Sequence, residues 1–249
     1  MNWIILNGKR STLIKGLIIR SLPPITKPLV RTSVDTIDGR DGDIVTRLGY
    51  AAYDKTVEIG LAGNYDVDQV INYFASDGGE RTVSYGTGGG RNQGHVTFSN
   101  EPDKYYRYCI FEAIDFERLL RFKTATVTFH VQPFKYSAVD ELVDVTASGT
   151  SGSMTLYNLG NVYAKPSLTV YGSGTVNLLV NDRPITLDMS TANQLTLNSE
   201  DMNVYSGGTL KNRLAIWHPR YLYMGMGSNT ISWSGSVTRV AVKDYARWI

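Results

Sequence analysis

The sequence predicts a mainly β fold with two strand-rich domains. Alternating apolar and polar residues recur in short runs, and only one segment has helical periodicity. The chain also contains 24 Gly and 16 Tyr, which suits tight turns that join half-buried strands. We predict an N-terminal β-sandwich-like domain with one helix and an extended arm and hairpin, followed by a C-terminal jelly-roll β-sandwich.

Length and composition indicate a globular protein. The 249 residues allow one large or two ordinary domains, at roughly 100–200 residues each. A net charge of +2 is too small to indicate a nucleic-acid or membrane partner. No signal peptide is expected, because Lys9 and Arg10 follow the short apolar start instead of preceding it. No apolar run approaches the roughly 20 residues that a membrane-spanning helix needs.

The first distinctive segment is a stiff arm at residues 22–28, Leu-Pro-Pro-Ile-Thr-Lys-Pro, because a residue before proline is restricted to extended conformations. A charged turn, Asp38-Gly39-Arg40-Asp41-Gly42-Asp43, follows. A calcium loop of the EF-hand type would require Glu at its twelfth position, where this chain has Gly49. The arm and turn are either a solvated connector or a device that reaches another subunit. For the second case we name Arg40, Asp41 and Asp43 as the contact residues.

The rest of the first half predicts one helix among strands. Val67, Val70, Ile71 and Phe74 form an apolar stripe after the N-cap residue Asp66, and Gly78-Gly79 would end the helix. Val57 and Ile59 should share one face of their strand. The predicted strands are Asp54–Leu61, Arg81–Tyr85, His95–Phe98, Tyr105–Phe116 and Thr124–Val131.

The Gly-rich loop within residues 86–91 is predicted to be a hairpin tip that could contact a partner. Its candidate contact residues are Gly88, Gly89, Gly90 and Arg91. A phosphate-binding loop is disfavoured, because the segment lacks the Lys-Ser/Thr ending and a strand follows it where a helix would be needed.

A small, polar stretch at residues 147–153 marks a change of composition, so we predict domains at residues 1–140 and 141–249. The second domain should open with a β-hairpin within Asn158–Asn181, with its turn at Gly172-Ser173-Gly174. The predicted strands are Leu168–Val170, Val176–Val180, Ile185–Leu187, Leu195–Leu197, Met202–Tyr205, Leu214–Trp217, Ile231–Trp233 and Thr238–Lys243.

No residue constellation indicates catalysis, a cofactor or a metal site. Cys109, the only cysteine, is interpreted as a buried thiol. His95, His130 and His218 lack metal-ligand spacing, and the scattered carboxylates single out no glycosidase pair. We therefore predict that the protein is not an enzyme. A hydrolase that cleaves the host cell wall is kept as the last of three functional hypotheses. The alternative function is carbohydrate binding by stacking on Trp217, Tyr221, Tyr223 and Trp233, although the strand pattern favours a core position for both tryptophans.

Several short motifs in a fixed order resemble one family. They are Ile25-Thr26-Lys27-Pro28, Asp38–Asp43, Gln132–Tyr136, Asn158–Asn161, Ala164-Lys165-Pro166, Asn203-Val204-Tyr205, Gly227–Trp233 and Arg247-Trp248-Ile249. Together they resemble the distal tail protein (Dit) of long, non-contractile-tailed bacteriophages over essentially the whole chain.

This resemblance implies a structural hub at the tail tip of a virion. It implies an N-terminal domain that closes into a homo-hexameric ring and a C-terminal galectin-like β-sandwich. The ring would connect the tail tube protein to the host-adsorption apparatus. Its further expected partners are the tail-associated fibre or lysin protein and the tape measure protein. A galectin-like fold is not in itself evidence of sugar binding, because function depends on sites and not on folds.

Overall fold

The computed structural model describes residues 1–75, 94–109, 114–139, 142–147, 150–217 and 222–249, without the side chains of Ala75, Cys109 and Trp217. The predicted mainly β fold is confirmed. The chain divides into two compact units, and the boundary between them lies between Ala138 and Val139. The last residue, Ile249, groups with the first unit. The predicted domain limits at residues 140 and 141 fall on positions outside the described residues, and the assignment of a separate role to each domain stays a prediction.

The first unit is built on a seven-stranded antiparallel sheet in the order β2-β1-β7-β8-β9-β6-β3. An isolated bridge between Asn2 and Ile19 joins the segment before β1 to the edge strand β3, so the sheet curls until its two ends meet. β4 and β5 form a separate two-stranded ribbon. The described strands are β1 (Ile4–Leu6), β2 (Lys9–Arg10), β3 (Leu17–Ser21), β4 (Val30–Asp35), β5 (Ile44–Tyr50), β6 (Tyr53–Leu61), β7 (Gly94–Phe98), β8 (Lys104–Cys109) and β9 (Thr124–Ser137).

The predicted helix is confirmed as α1 (Val67–Ala75). Its N-terminus is capped by Asp66, whose Oδ1 accepts a hydrogen bond from the Gln69 backbone N–H at 3.1 Å. Val70 and Phe74 of the predicted stripe are buried in the core of the first unit. The predicted stop at Gly78-Gly79 lies outside the described residues.

A second helix, α2 (Phe116–Phe122), corrects the prediction of a single helix. The predicted strand over Tyr105–Phe116 is confirmed up to Cys109, in β8, whereas its last residue, Phe116, belongs to the helix. The side chain of Asp115 accepts from the Arg118 backbone N–H at 2.8 Å, which satisfies one of the free donors at the helix start. Lys123 ends the helix with a left-handed φ of 59°. The aromatic run after Tyr105 is extended in β8, and the cap at Asp115 begins a helix where the predicted strand would have ended.

The second unit contains one continuous nine-stranded sheet. Its described strands are β10 (Leu142–Thr146), β11 (Ser151–Asn158), β12 (Ser167–Val180), β13 (Arg183–Met189), β14 (Gln194–Asn198), β15 (Asn203–Ser206), β16 (Thr209–Leu210), β17 (Ala215–Trp217) and β18 (Gly227–Lys243).

The predicted hairpin with a turn at Gly172-Ser173-Gly174 is wrong, because this segment lies inside the single strand β12. Both halves of β12 pair with β18, and the register shifts on either side of Gly172 and Ser173. Gly172 has no room for a Cβ, which would overlap the Ser236 carbonyl. The glycines therefore bend the strand where they were expected to reverse it.

The bends in β12 and β18 fold the sheet into two layers. The first half of β12 pairs with β14, and its second half pairs with β13. Leu168 and Val170 from the first half share one buried core with Val176 and Leu178 from the second. The two long strands thus belong to both layers of a β-sandwich.

Candidate assembly surface

The proline arm is fixed to the first unit through its carbonyl oxygens. Asn100 Nδ2 donates to the Pro23 oxygen at 2.9 Å, and Lys55 Nζ donates to the Pro24 oxygen at 2.9 Å. A longer contact of 3.5 Å joins the Tyr53 hydroxyl to the Thr26 oxygen. Proline has no backbone N–H, so side-chain donors are the natural way to hold such a segment. The bonds order the arm antiparallel to β6.

Beyond the arm, β4 and β5 pair with each other and with no further strand among the described residues. The base of this ribbon is closed by a bond from the Ala51 N–H to the Leu29 oxygen at 2.8 Å. There the Tyr50 ring meets the edge of Phe134, with ring centroids 5.7 Å apart. Among the described residues, the contacts that hold the ribbon to the first unit therefore lie at its base.

The arm and ribbon expose a group of large apolar side chains. Their exposed fractions lie between 51% and 73%, and they are Ile25, Leu29, Val34, Ile37, Val45 and Leu48. An isolated two-stranded ribbon is marginally stable in water, its two edges offer unpaired backbone groups, and exposed apolar patches mark interaction sites. These features are typical of surfaces that become covered when subunits assemble.

The charged turn lies at the free end of the ribbon. Gly39 and Gly42 adopt left-handed φ values of 83° and 79°, and the turn is closed by a bond from the Arg40 N–H to the Ile37 oxygen at 3.1 Å. Arg40, Asp41 and Asp43 are all exposed, and no salt bridge within the described part of the chain involves them. Their charges are available to an external partner.

Solved phage structures share the architecture described above. The Dit protein of phage SPP1, a paradigm of the hub adsorption apparatus in phages that infect Gram-positive bacteria, matches with a TM-score of 0.65 and 14% identity over 100% of both chains. This chain has a Dit-like fold.

Two structures of the phage P2 baseplate in its activated conformation also match the Dit-like fold. The calcium form has a TM-score of 0.55 and 10% identity, over 100% of this chain and 98% of that chain. The strontium form has a TM-score of 0.53 and 10% identity, over 98% and 97%. No sequence-family model matches the chain, and no curated protein matches it by sequence. At these identities the likeness establishes the fold alone.

The other residues considered as candidates for a site in this Dit-like chain are the Gly-rich loop and the three histidines. The loop residues Gly88, Gly89, Gly90 and Arg91 lie outside the described residues, as does His218. Burial, assisted by the nearby Arg107 guanidinium, lowers the pKa of His95 to about 4. His130 Nδ1 lies 2.7 Å from Asp54 Oδ1 across two strands. Within the described ranges, no group of three His, Cys, Asp or Glu side chains could hold a metal ion, and no helix is long and apolar enough to cross a membrane.

The proposed sugar-stacking aromatics do not form one platform in the described residues. Trp233 is buried in the core of the second unit, and a Cβ on Gly152 would come within 2.6 Å of its ring, which confirms the core interpretation. Tyr223 is half exposed, with the Arg183 guanidinium 3.7 Å from its ring centroid. Tyr221 and the Trp217 side chain lie outside the described residues. The carbohydrate alternative therefore depends on Tyr223 among the described side chains.

A buried group of charged and polar side chains beside the arm was not predicted from the sequence. Glu101 Oε1 accepts from Lys135 Nζ at 2.6 Å, and Glu101 Oε2 accepts from the Tyr106 hydroxyl. Lys55 lies beside this group, with its Nζ 4.9 Å from the Tyr106 ring centroid. The one sign of this group in the sequence is the position of Lys55, which shares the inward face of β6 with Val57.

Proposed function

We propose that this protein is a non-enzymatic structural hub of a phage tail tip. In this proposal its first unit closes into a hexameric ring, and its second unit is the galectin-like sandwich of the hub. The ring joins the tail tube protein to the host-adsorption apparatus and contacts the tail-associated fibre or lysin protein, with the tape measure protein as a further partner. The Dit-like fold over the full chain supports this assignment.

The observation that carries the proposal is the exposed apolar ribbon with its charged turn. A ring of identical subunits needs a heterologous contact, in which two different surfaces of the subunit meet. The ribbon supplies one such surface, since its strands expose Val34, Val45 and Leu48. Arg40, Asp41 and Asp43 at the turn supply charges that would set the register of the contact.

Native mass spectrometry of the intact assembly tests the proposal. A six-fold mass is expected for the purified chain, alone or beside its tail partners. A protein that stays monomeric at high concentration, with no ring even beside the tail tube protein, would contradict it.

The Arg40→Glu charge reversal tests the turn separately. If Arg40 is desolvated at the subunit contact, ring closure should weaken by about 2–5 kcal/mol per contact, whereas a rim charge has little effect. Arg213→Glu is the matched control, because Arg213 is an exposed residue of the second unit and the change in net charge is the same. Equal assembly of both variants would remove Arg40 from the interface.

A further inference from the structure

The side chain of Lys55 occupies a core position in the first unit. It lies on the inward face of β6, in line with Val57 and Ile59, and only 2% of the residue is exposed. Lysine is rarely buried unless its ammonium group is paired. Here the ammonium group donates to the Pro24 carbonyl oxygen of the arm, and the Tyr53 and Tyr106 rings lie 5.5 and 4.9 Å from it.

The groups around this ammonium come from several strands. Glu101, from the turn before β8, attracts it, while Lys135 of β9 repels it. The two tyrosine hydroxyls nearby, on Tyr53 and Tyr106, are neutral at pH 7, since the ordinary tyrosine pKa is about 10 and burial raises the pKa of both, that of Tyr53 to about 12. Burial lowers the pKa of Lys55 itself to about 8, opposed by Glu101 and assisted by Lys135. The fold thus keeps a cation in a place that disfavours charge.

An apolar residue at this position would avoid that desolvation, since well-packed apolar replacements of buried charges are often neutral or stabilising. What an apolar residue could not supply is the bond to the arm. Pro24 has no backbone N–H and is itself exposed, so its carbonyl oxygen is its hydrogen-bonding contact with the body of the unit. A hydrogen bond from a charged donor is roughly twice as strong as a neutral one.

We propose that Lys55 is a positioning residue that locks the proline arm to the body of the first unit, so that the β4–β5 ribbon projects in one direction before a partner binds. Asn100 acts with it one residue earlier, on Pro23. A surface held in its bound conformation loses less entropy on association. The use of the lock in ring closure rests on the proposed function, whereas the lock itself is a property of the single chain.

The test compares amide hydrogen exchange at two positions in Lys55→Met and the unchanged protein. The Ala51 N–H bonds to the Leu29 oxygen where the arm meets the ribbon, and the Ala62 N–H makes an equivalent bond to the Gly16 oxygen beyond the far end of β6. Exchange at Ala51 should rise roughly ten- to hundredfold, as the loss of a hydrogen bond to a charged donor implies. Exchange at Ala62 should not change. Lys104→Met is the matched control, because it replaces another lysine of the first unit, whose ammonium group pairs with Asp103.

Asn100→Ala provides a second variant, which should raise exchange at Ala51 to a smaller extent. If Lys55→Met does not fold, so that both amides exchange faster, the result with Asn100→Ala alone tests the proposal. Unchanged exchange at Ala51 in the folded variants overturns the proposal. All comparisons are made in one assembly state, verified by native mass spectrometry. A faster Ala51 in a chain that never forms a ring would leave the lock standing and overturn the proposed function instead.

Discussion

Replacing Glu101 with Gln removes the negative charge that Lys55 and Lys135 share below the arm. Glu101 and Lys135 are 8% and 4% exposed, and their charged atoms are 2.6 Å apart, so water can compensate little of the loss. Breaking a buried pair by removing one partner costs about 3–5 kcal/mol, because it leaves an uncompensated buried charge. We expect Glu101→Gln to lower the unfolding free energy of the first unit by this amount.

The assay is a urea titration at pH 7 in which hydrogen exchange of β6 and β9 amides reports unfolding of the first unit separately. The matched control is Asp103→Asn, which removes a carboxylate two residues away. The Asp103 side chain is 67% exposed in its pair with Lys104, so its loss should stay within about 1 kcal/mol. The double replacement Glu101→Gln, Lys135→Met should recover part of the loss by removing one buried cation. A loss in Glu101→Gln no larger than in Asp103→Asn would refute the reasoning.

Three further perturbations follow from the same structure. His95→Asn should reduce the loss of stability that occurs as the pH falls from about 6.5 to 4 by the contribution of His95, measured by urea unfolding at pH 7 and 4.5, because the unfolded state binds a proton that folded His95 does not. Lys55→Met should gain stability relative to the unchanged protein at pH 7, and that gain should shrink by at most about 3 kcal/mol as the pH rises from 8 to 10, where folded Lys55 loses its proton. Gly160→Ala should lower the melting temperature of the second unit, since its Cβ would come within 2.6 Å of the Arg247 backbone nitrogen, and overpacking costs about 1–3 kcal/mol. Gly225→Ala is its control, because the nearest atom to that Cβ lies 4.0 Å away.

Local signals predicted the elements that are determined locally. The stripe of Val70 and Phe74 and the cap at Asp66 lie within one short segment, so α1 could be predicted from the sequence. The same logic applies to the Asp-Gly turns at Gly39 and Gly42, which have the left-handed φ values that such turns require. Helix α2 carries an equally local cap at Asp115 but spans only seven residues, too few for a periodic pattern to stand out against the preceding aromatic run.

The failed hairpin prediction has a non-local cause. Gly172 and Gly174 can serve a reversing turn or a bend within a strand, and both uses exploit the same freedom of glycine. The choice is made by β18, which lies some sixty residues later in the sequence and pairs with β12 on both sides of the bend. Whether the glycines form a turn or a bend therefore depends on which strand pairs with β12, and that pairing is not encoded in the local sequence.

Part of the candidate assembly surface could be predicted from local sequence, and part depends on residues far apart in the chain. The proline arm and the charged turn are continuous segments, so they stood out in the sequence. The residues that hold the arm and the buried pair beneath it are dispersed over two strands and a turn, at positions 53, 55, 100 and 135, and each looks ordinary alone. Lys55 interrupts an apolar face, which is the one sequence signal that could have identified it.

The exposed ribbon and the buried lysine solve one physical problem together. If the ribbon meets another subunit as proposed, it cannot be stabilised by its own core, since its apolar side chains have to stay exposed until assembly. Its direction must then be fixed at its base, and a proline-rich base offers carbonyl oxygens as its main attachment points. A buried ammonium group beside Glu101 can hold such an oxygen firmly, and its desolvation is the thermodynamic consequence of placing the donor inside the core. A buried charge is therefore expected where the arm leaves the first unit, which is where Lys55 lies.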